Sequence, residues 1–147
     1  MTEPKLYPRL IVDDAAEALS FYTEALGATE LVRFPEPSGR IVHAEVRIGE
    51  SVFSVAESDG GHNLSPASLG GSGLLLTLVV DDADAVGASL EGAGAEVVIP
   101  IADQYYGRRE GRLRDPFGHL WIISQDGEDL DEDEIRRRVD EAADRNA

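Results

Sequence analysis

An α+β fold made of two βαβββ modules in tandem is predicted for this 147-residue chain by three features of its sequence. The stretch Val12-Asp13-Asp14-Ala15 returns as Val80-Asp81-Asp82-Ala83, 68 positions on, and Gly27-Ala28 returns as Gly94-Ala95, 67 positions on. Two elements that keep register across a whole module are the signature of an internal duplication. Each Asp-Asp pair follows an apolar run and precedes apolar residues at helical spacing, so both repeats read strand then helix. The third feature is the stretch from Tyr105 to Trp121, which contains Asp115-Pro116-Phe117-Gly118. There Asp can bond its own backbone, Pro presets φ and Gly accepts a positive φ, so the chain reverses as a hairpin.

The elements follow in order. Leu6 to Val12 reads as a buried strand. Asp14 with Glu17 has the spacing of a capping box, and Ala15, Ala18, Leu19, Tyr22 and Leu26 line one face of a helix that Gly27 ends. Thr29 to Phe34 is a second strand and residues 35–39 a Pro-rich loop. From Arg40 to Ile48, Val42, Ala44, Val46 and Ile48 alternate with Ile41, His43, Glu45 and Arg47, giving one apolar and one mixed face. Ser51 to Glu57 completes a module spanning about residues 5–57. Residues 58–72 are rich in Gly, Ser and Asn without a period and read as a linker. The second module, about residues 73–125, runs through a strand at Leu74 to Val80, a helix carrying Val86 and Leu90, a strand at Glu96 to Ile101 and the terminal hairpin. Residues 126–147 form an acidic tail. Acids before Ile135-Arg136-Arg137-Arg138-Val139 complement a helix dipole, so a short exposed helix with Asp131 or Asp133 near its cap is expected there.

Composition narrows the function. Thirteen basic and twenty-nine acidic residues give a formal charge of −16, which repels phosphate backbones and anionic membranes. Nucleic acid and membrane partners are not expected. No apolar run is long enough to span a bilayer, and Met-Thr-Glu-Pro-Lys has neither the basic nor the apolar region of a signal peptide, so a cytoplasmic location is expected. With no cysteine there are no disulfides, thiolate metal sites or cysteine nucleophiles.

Two groups of residues could carry chemistry. His43 and Glu45 share one face of a strand with Arg47, and an imidazole beside a carboxylate can serve as a general base or as two metal ligands, or can simply be a solvated strand face. Tyr105, Tyr106, Arg108, Arg109, Arg112 and Arg114 stand out in an acidic chain. Aromatic faces beside guanidiniums suit a planar or anionic small ligand, although the arginines could equally pair with carboxylates across strands. His119 follows the hairpin glycine and is expected to order that turn. His62 lies in the linker and is expected to be inert.

The first helix, with Val12, Asp14, Ala18, Phe21 and Tyr22, and the closing Asp115-Pro116-Phe117-Gly118-His119-x-Trp121 together resemble the vicinal oxygen chelate superfamily of glyoxalase I, extradiol dioxygenases and bleomycin-resistance proteins. Tyr106-Gly107-x-Arg109-x-Gly111, Glu128-Asp129-Leu130 and Glu134 to Arg138 look most like its PhnB-like branch. The resemblance covers roughly residues 5–138. It implies modules curled into a curved mixed sheet around a cleft, helices outside, and a homodimer with the cleft at or near the interface. Its metal-binding members carry His, Glu or Gln at positions that fall here on Tyr7, Ser54, Leu75 and Ile122. Leu and Ile have no lone pair to give, and neutral Tyr and Ser bind divalent metals poorly, so no metal and no other cofactor is expected. The expected function is a metal-independent small-molecule-binding protein, of sequestering or resistance type. Its ligand, aromatic or anionic, would meet Tyr7, Arg9, His43, Glu45, Ser54, Thr77, Tyr105, Tyr106 and Arg109. The alternative is a lyase, isomerase or dioxygenase-type enzyme with a relocated site around His43 and Glu45.

Overall fold

The computed structural model describes residues 1–146. Within them the first module consists of β1 (Arg9–Val12), α1 (Ala15–Leu26), β2 (Thr29–Pro35), β3 (Ile41–Ile48) and β4 (Ser51–Glu57). A short helix α2 (Pro66–Leu69) interrupts the linker. The second module repeats the order with β5 (Leu75–Val79), α3 (Ala83–Gly92), β6 (Glu96–Asp103), β7 (Arg109–Arg114) and β8 (Leu120–Gln125), and α4 (Glu132–Arg145) follows. The strands form two four-stranded mixed sheets, β1-β4-β3-β2 and β5-β8-β7-β6, each with one parallel pair. This is the duplicated βαβββ architecture that the repeat predicts.

Local chemistry sets the helix ends. Asp14 caps α1 by accepting the Glu17 N–H at 3.0 Å, and Asp82 caps α3 through Ala85 N–H at 3.0 Å, so the repeated Asp-Asp pairs do the same work in both modules. Asp131 caps α4 through Glu134 N–H at 2.8 Å. The linker is more ordered than its composition suggests. Ser65 is fully buried and caps α2, with Pro66 at the first helical position, where its missing N–H costs nothing. The first strand is shorter than predicted: Leu6 and Tyr7 are exposed, and regular pairing starts at Arg9 opposite Ser54, just after Pro8, which has no N–H to give.

Each sheet buries one face. Leu10, Val55, Ala44 and Val46 are fully buried beneath α1, and Leu76, Trp121, Leu113 and Ile123 pack beneath α3 in the same core cluster. The helices meet where Ser89 Oγ donates to Ala25 O at 2.8 Å. An aromatic cluster of Phe21, Tyr22, Phe53, Phe117 and Trp121, with edge or tilted ring contacts, joins the modules. At its centre is Asp115, 3% exposed. Its Oδ2 accepts Tyr22 OH at 2.6 Å and Trp121 Nε1–H at 3.0 Å, and its Oδ1 accepts the N–H groups of Phe117 and His119 at 2.9 and 3.0 Å. The Asp-Pro-Phe-Gly turn is therefore also the tie between modules. Gly118 adopts φ +94°, and a Cβ there would come within 2.7 Å of Pro66 Cβ, so the turn seats against α2 as well. His119 does order this region, as its Nε2–H donates to Ile11 O at 2.8 Å.

Burial, followed by the charge of the Asp115 carboxylate, pushes the Tyr22 phenol well above its ordinary value. The folded state therefore keeps a proton that the unfolded chain releases near pH 10. Above that pH the unfolded state binds fewer protons than the folded one, so this contribution to stability is intact below it and lost as pH rises through the folded value. Thermal melts at about pH 8 and about pH 11 should show a larger drop in Tm for the wild type than for Tyr22→Phe. Equal drops would mean that other groups carry the alkaline sensitivity.

Candidate functional site

The other face of each sheet is open, and register shows what lines it. In the first module Arg9 pairs with Ser54, Ser54 with Glu45 and Glu45 with Val32, so these four form one row across the sheet. The adjacent rungs pair Ile11 with Ala56 and His43 with Phe34. In the second module the corresponding row is Thr77, Ile122, Arg112 and Ile99, and the next holds Val79, Ser124, Glu110 and Ala102. The pairs Arg9–Ser54 and Thr77–Ile122 lie 68 positions apart, so the duplication extends to the open faces.

On the first face Arg9 donates to His43 Nδ1 at 3.1 Å. That fixes the tautomer: Nε2 carries the proton, and it faces Glu45 Oε1 at 3.3 Å. Phe34 stacks on the imidazole with ring centroids 6.1 Å apart. Both ring nitrogens are engaged, so His43 becomes a general base only if Arg9 withdraws.

On the second face Glu110 is the hub. Tyr106 OH donates a short hydrogen bond to its Oε1, Ser124 OH donates to its Oε2 at 2.6 Å, and Arg108 Nε–H donates to Ser124 Oγ at 2.6 Å. Desolvation and then the Glu110 bond push the Tyr106 phenol up, so Tyr106 remains a protonated donor. Tyr105 stands edge-on to Tyr106 at 5.0 Å. Arg138 of α4 holds this turn by donating to Tyr105 O at 3.1 Å while pairing with Glu128 and Glu134.

The structure thus gathers Arg9, His43, Glu45 and Ser54 on one open face, and Tyr106 lies beside Glu110 near the rows of the other. Tyr7 and Thr77 sit apart from the first group. They line a cavity of about 590 Å³ at the seam between modules, with Leu6, Val52, Leu78 and Trp121. Arg109 belongs to neither face, because its guanidinium grips Asp84 at the start of α3 in bidentate fashion (2.7 and 3.0 Å) and reaches Asp103 at 3.0 Å. Arg114 pairs with Glu96 at 2.7 Å. Sequence reasoning missed Glu110 and Ser124. The signal available was the i, i+2 alternation of Arg108, Glu110 and Arg112, which puts all three on one strand face.

A metal does not fit the inherited positions. Ser54 lies in a row with Arg9 and Glu45, Ile122 in a row with Thr77 and Arg112, Leu75 opposite Leu120, and Tyr7 ahead of β1. Among the described residues no three His, Asp or Glu side chains converge in a way that could hold a metal ion.

A profile of the Glyoxalase/Bleomycin resistance protein/Dioxygenase superfamily matches residues 6–123, which spans both modules. The chain belongs to this superfamily. An uncharacterised protein of Mycobacterium bovis is 42% identical over 146 residues, covering 97% of this chain and 96% of that protein. Among solved structures, TioX from Micromonospora sp. ML1 superposes with a TM-score of 0.65 at 26% identity, over 87% of this chain and all of TioX. The PhnB protein from Bacillus cereus shares the fold, with a TM-score of 0.66 at 18% identity, over 83% of this chain and 99% of that one. Superfamily membership fixes the architecture and leaves the chemistry to the open faces, since one fold hosts many functions. No helix among the described residues is long and apolar enough to cross a membrane.

Proposed function

We propose that this chain is a cytoplasmic small-molecule-binding protein of sequestering or resistance type, working without a metal and as a homodimer whose paired open faces enclose the ligand. The observation that carries this reading is the donor set of those faces. They offer guanidiniums, a phenol, hydroxyls and an imidazole, while the two carboxylates, Glu45 and Glu110, are already hydrogen-bonded. Such groups orient an organic ligand but give a divalent cation too few oxygens. Pairing is supported by the apolar residues that a single chain leaves uncovered, among them Phe34 at 54%, Val79 at 60% and Ile99 at 44% exposure.

Native mass spectrometry of freshly purified protein tests the ligand, the metal and the dimer at once. The expected result is a mass of two chains carrying a small organic molecule that leaves on denaturation, with no stoichiometric divalent metal. A monomer at high micromolar concentration refutes the dimer. About one metal per chain, lost on His43→Ala or Glu45→Ala, refutes the binding-protein reading.

The hydrogen-bonded run Arg9–His43–Glu45 favours a second reading, an enzyme that uses His43 as its base after ligand entry displaces Arg9. Turnover abolished by His43→Ala, with ligand affinity unchanged, would establish it.

A further inference from the structure

We infer that Arg112 is the anion anchor of the second open face and takes the carboxylate of an apolar monocarboxylic acid. This rests on the small-molecule-binding reading above and adds to it a chemical class and a residue.

The other arginines of the terminal hairpin are neutralised: Arg108 by Glu110 and Asp126, Arg109 by Asp84 and Asp103, Arg114 by Glu96. Among the described residues Arg112 forms no ion pair, in a chain with 29 acidic residues. Its Nε is covered by protein and is, among the described residues, the buried side-chain nitrogen or oxygen left without a hydrogen-bond partner. Buried donors are ordinarily satisfied, so Arg112 is held in place without an acceptor of its own, and a partner for its guanidinium is missing. The carboxylate two residues away on the same strand face, Glu110, accepts from Tyr106 and Ser124 and, among the described residues, makes neither a hydrogen bond nor an ion pair with Arg112.

The surroundings define the missing group. Arg112 borders a cavity of about 100 Å³ with Ile99, Gln104, Tyr106, Glu110 and Ile122. That space admits a carboxylate head and little more. A ligand does not reach the covered Nε–H, but the two terminal nitrogens of the guanidinium, which make no hydrogen bond among the described residues, present a parallel fork that a planar carboxylate matches end-on with two oxygens. Ile99 and Ile122 flank Arg112 in its row, so the remainder of the ligand lies on apolar surface. The overall charge of −16 repels anions, and an unneutralised guanidinium gives an anion one local reason to stay.

Benzoate and its neutral isostere benzamide serve as probes, titrated into the wild type, Arg112→Gln, Arg112→Lys and, as a control on the terminal helix, Arg136→Gln, and followed by amide chemical shifts. Benzoate should bind the wild type and Arg136→Gln alike, and at least about tenfold more weakly to Arg112→Gln, as expected for loss of a charge-assisted pair. Arg112→Lys, which keeps the charge and loses the fork, should fall between them. Benzamide should bind weakly and equally to all four. Benzoate affinity unchanged in Arg112→Gln, or benzamide matching benzoate on the wild type, overturns the anchor and leaves the small-molecule reading standing. Separation of a dimer into monomers by Arg112→Gln assigns the residue to contact between copies and also overturns the anchor. Binding of neither probe at millimolar concentration, with no small molecule in the native mass spectrum, overturns both readings.

Discussion

Asp115→Ala is expected to destabilise the fold by about 4 kcal/mol or more, enough to exhaust much of the stability of a domain this size. The substitution strands two side-chain donors, Tyr22 OH and Trp121 Nε1–H, and two backbone N–H groups, all at the join between modules. The two side-chain donors cannot turn to water, because Tyr22 is fully buried and Trp121 is 4% exposed. Asp115→Asn should be milder but still costly: its carbonyl can replace one oxygen, and its NH2 then faces donors. Urea unfolding followed by tryptophan fluorescence measures both. A double-mutant cycle with Tyr22→Phe should be strongly non-additive, since that variant has already given up one of the four bonds. An Asp115→Ala midpoint within error of wild type would show that the modules hold together without this carboxylate.

Gly111→Ala is expected to cost about 2 kcal/mol or more, a large effect for one methyl group. An alanine Cβ would lie 2.6 Å from Ile99 O and 2.7 and 2.8 Å from the N and Cα of Ile101. Those are backbone atoms of β6, so no rotamer change relieves the clash and the edge strand itself must shift. It would do so at the irregular pairing of Ile99 and Ala102 with β7, next to Arg112. Urea unfolding should therefore show a lowered midpoint, and amide exchange should show weakened protection along β6 in particular. Unchanged protection of β6 would mean that the strand absorbs the methyl without giving way.

How far the sequence speaks depends on the range of the interaction. Caps and turns are local, and the duplicated Asp-Asp pairs, the hairpin and the α4 cap at Asp131 were legible because each partner lies within a few residues. The α2 helix was not, because four residues cannot show a period; only Ser65-Pro66 marks its start. The open faces were half legible. Strand alternation put His43 beside Glu45, but Arg9 reaches His43 across 34 positions, and only pairing between strands reveals it. The hairpin arginines show the limit most clearly. From Arg108, Arg109, Arg112 and Arg114 the sequence reading chose Arg109 as a ligand contact, and what separates them is where the acids lie: Asp84 is 25 residues from Arg109, and Glu96 is 18 from Arg114. No periodicity carries that information.

The β6 strand bears on solubility. It is the outer strand of its sheet, and Val97, Val98 and Ile99 are each more than a third exposed. A run of β-branched residues along an unpaired edge is the kind of template on which chains add to one another indefinitely. Here the run stops at Pro100, which has no N–H to offer an incoming strand, and the two irregularities in its pairing with β7, at Val97/Ile99 and Ile99/Ala102, break the even spacing that such a strand would need. The sheet can leave this margin apolar and still refuse to grow sideways into a fibril.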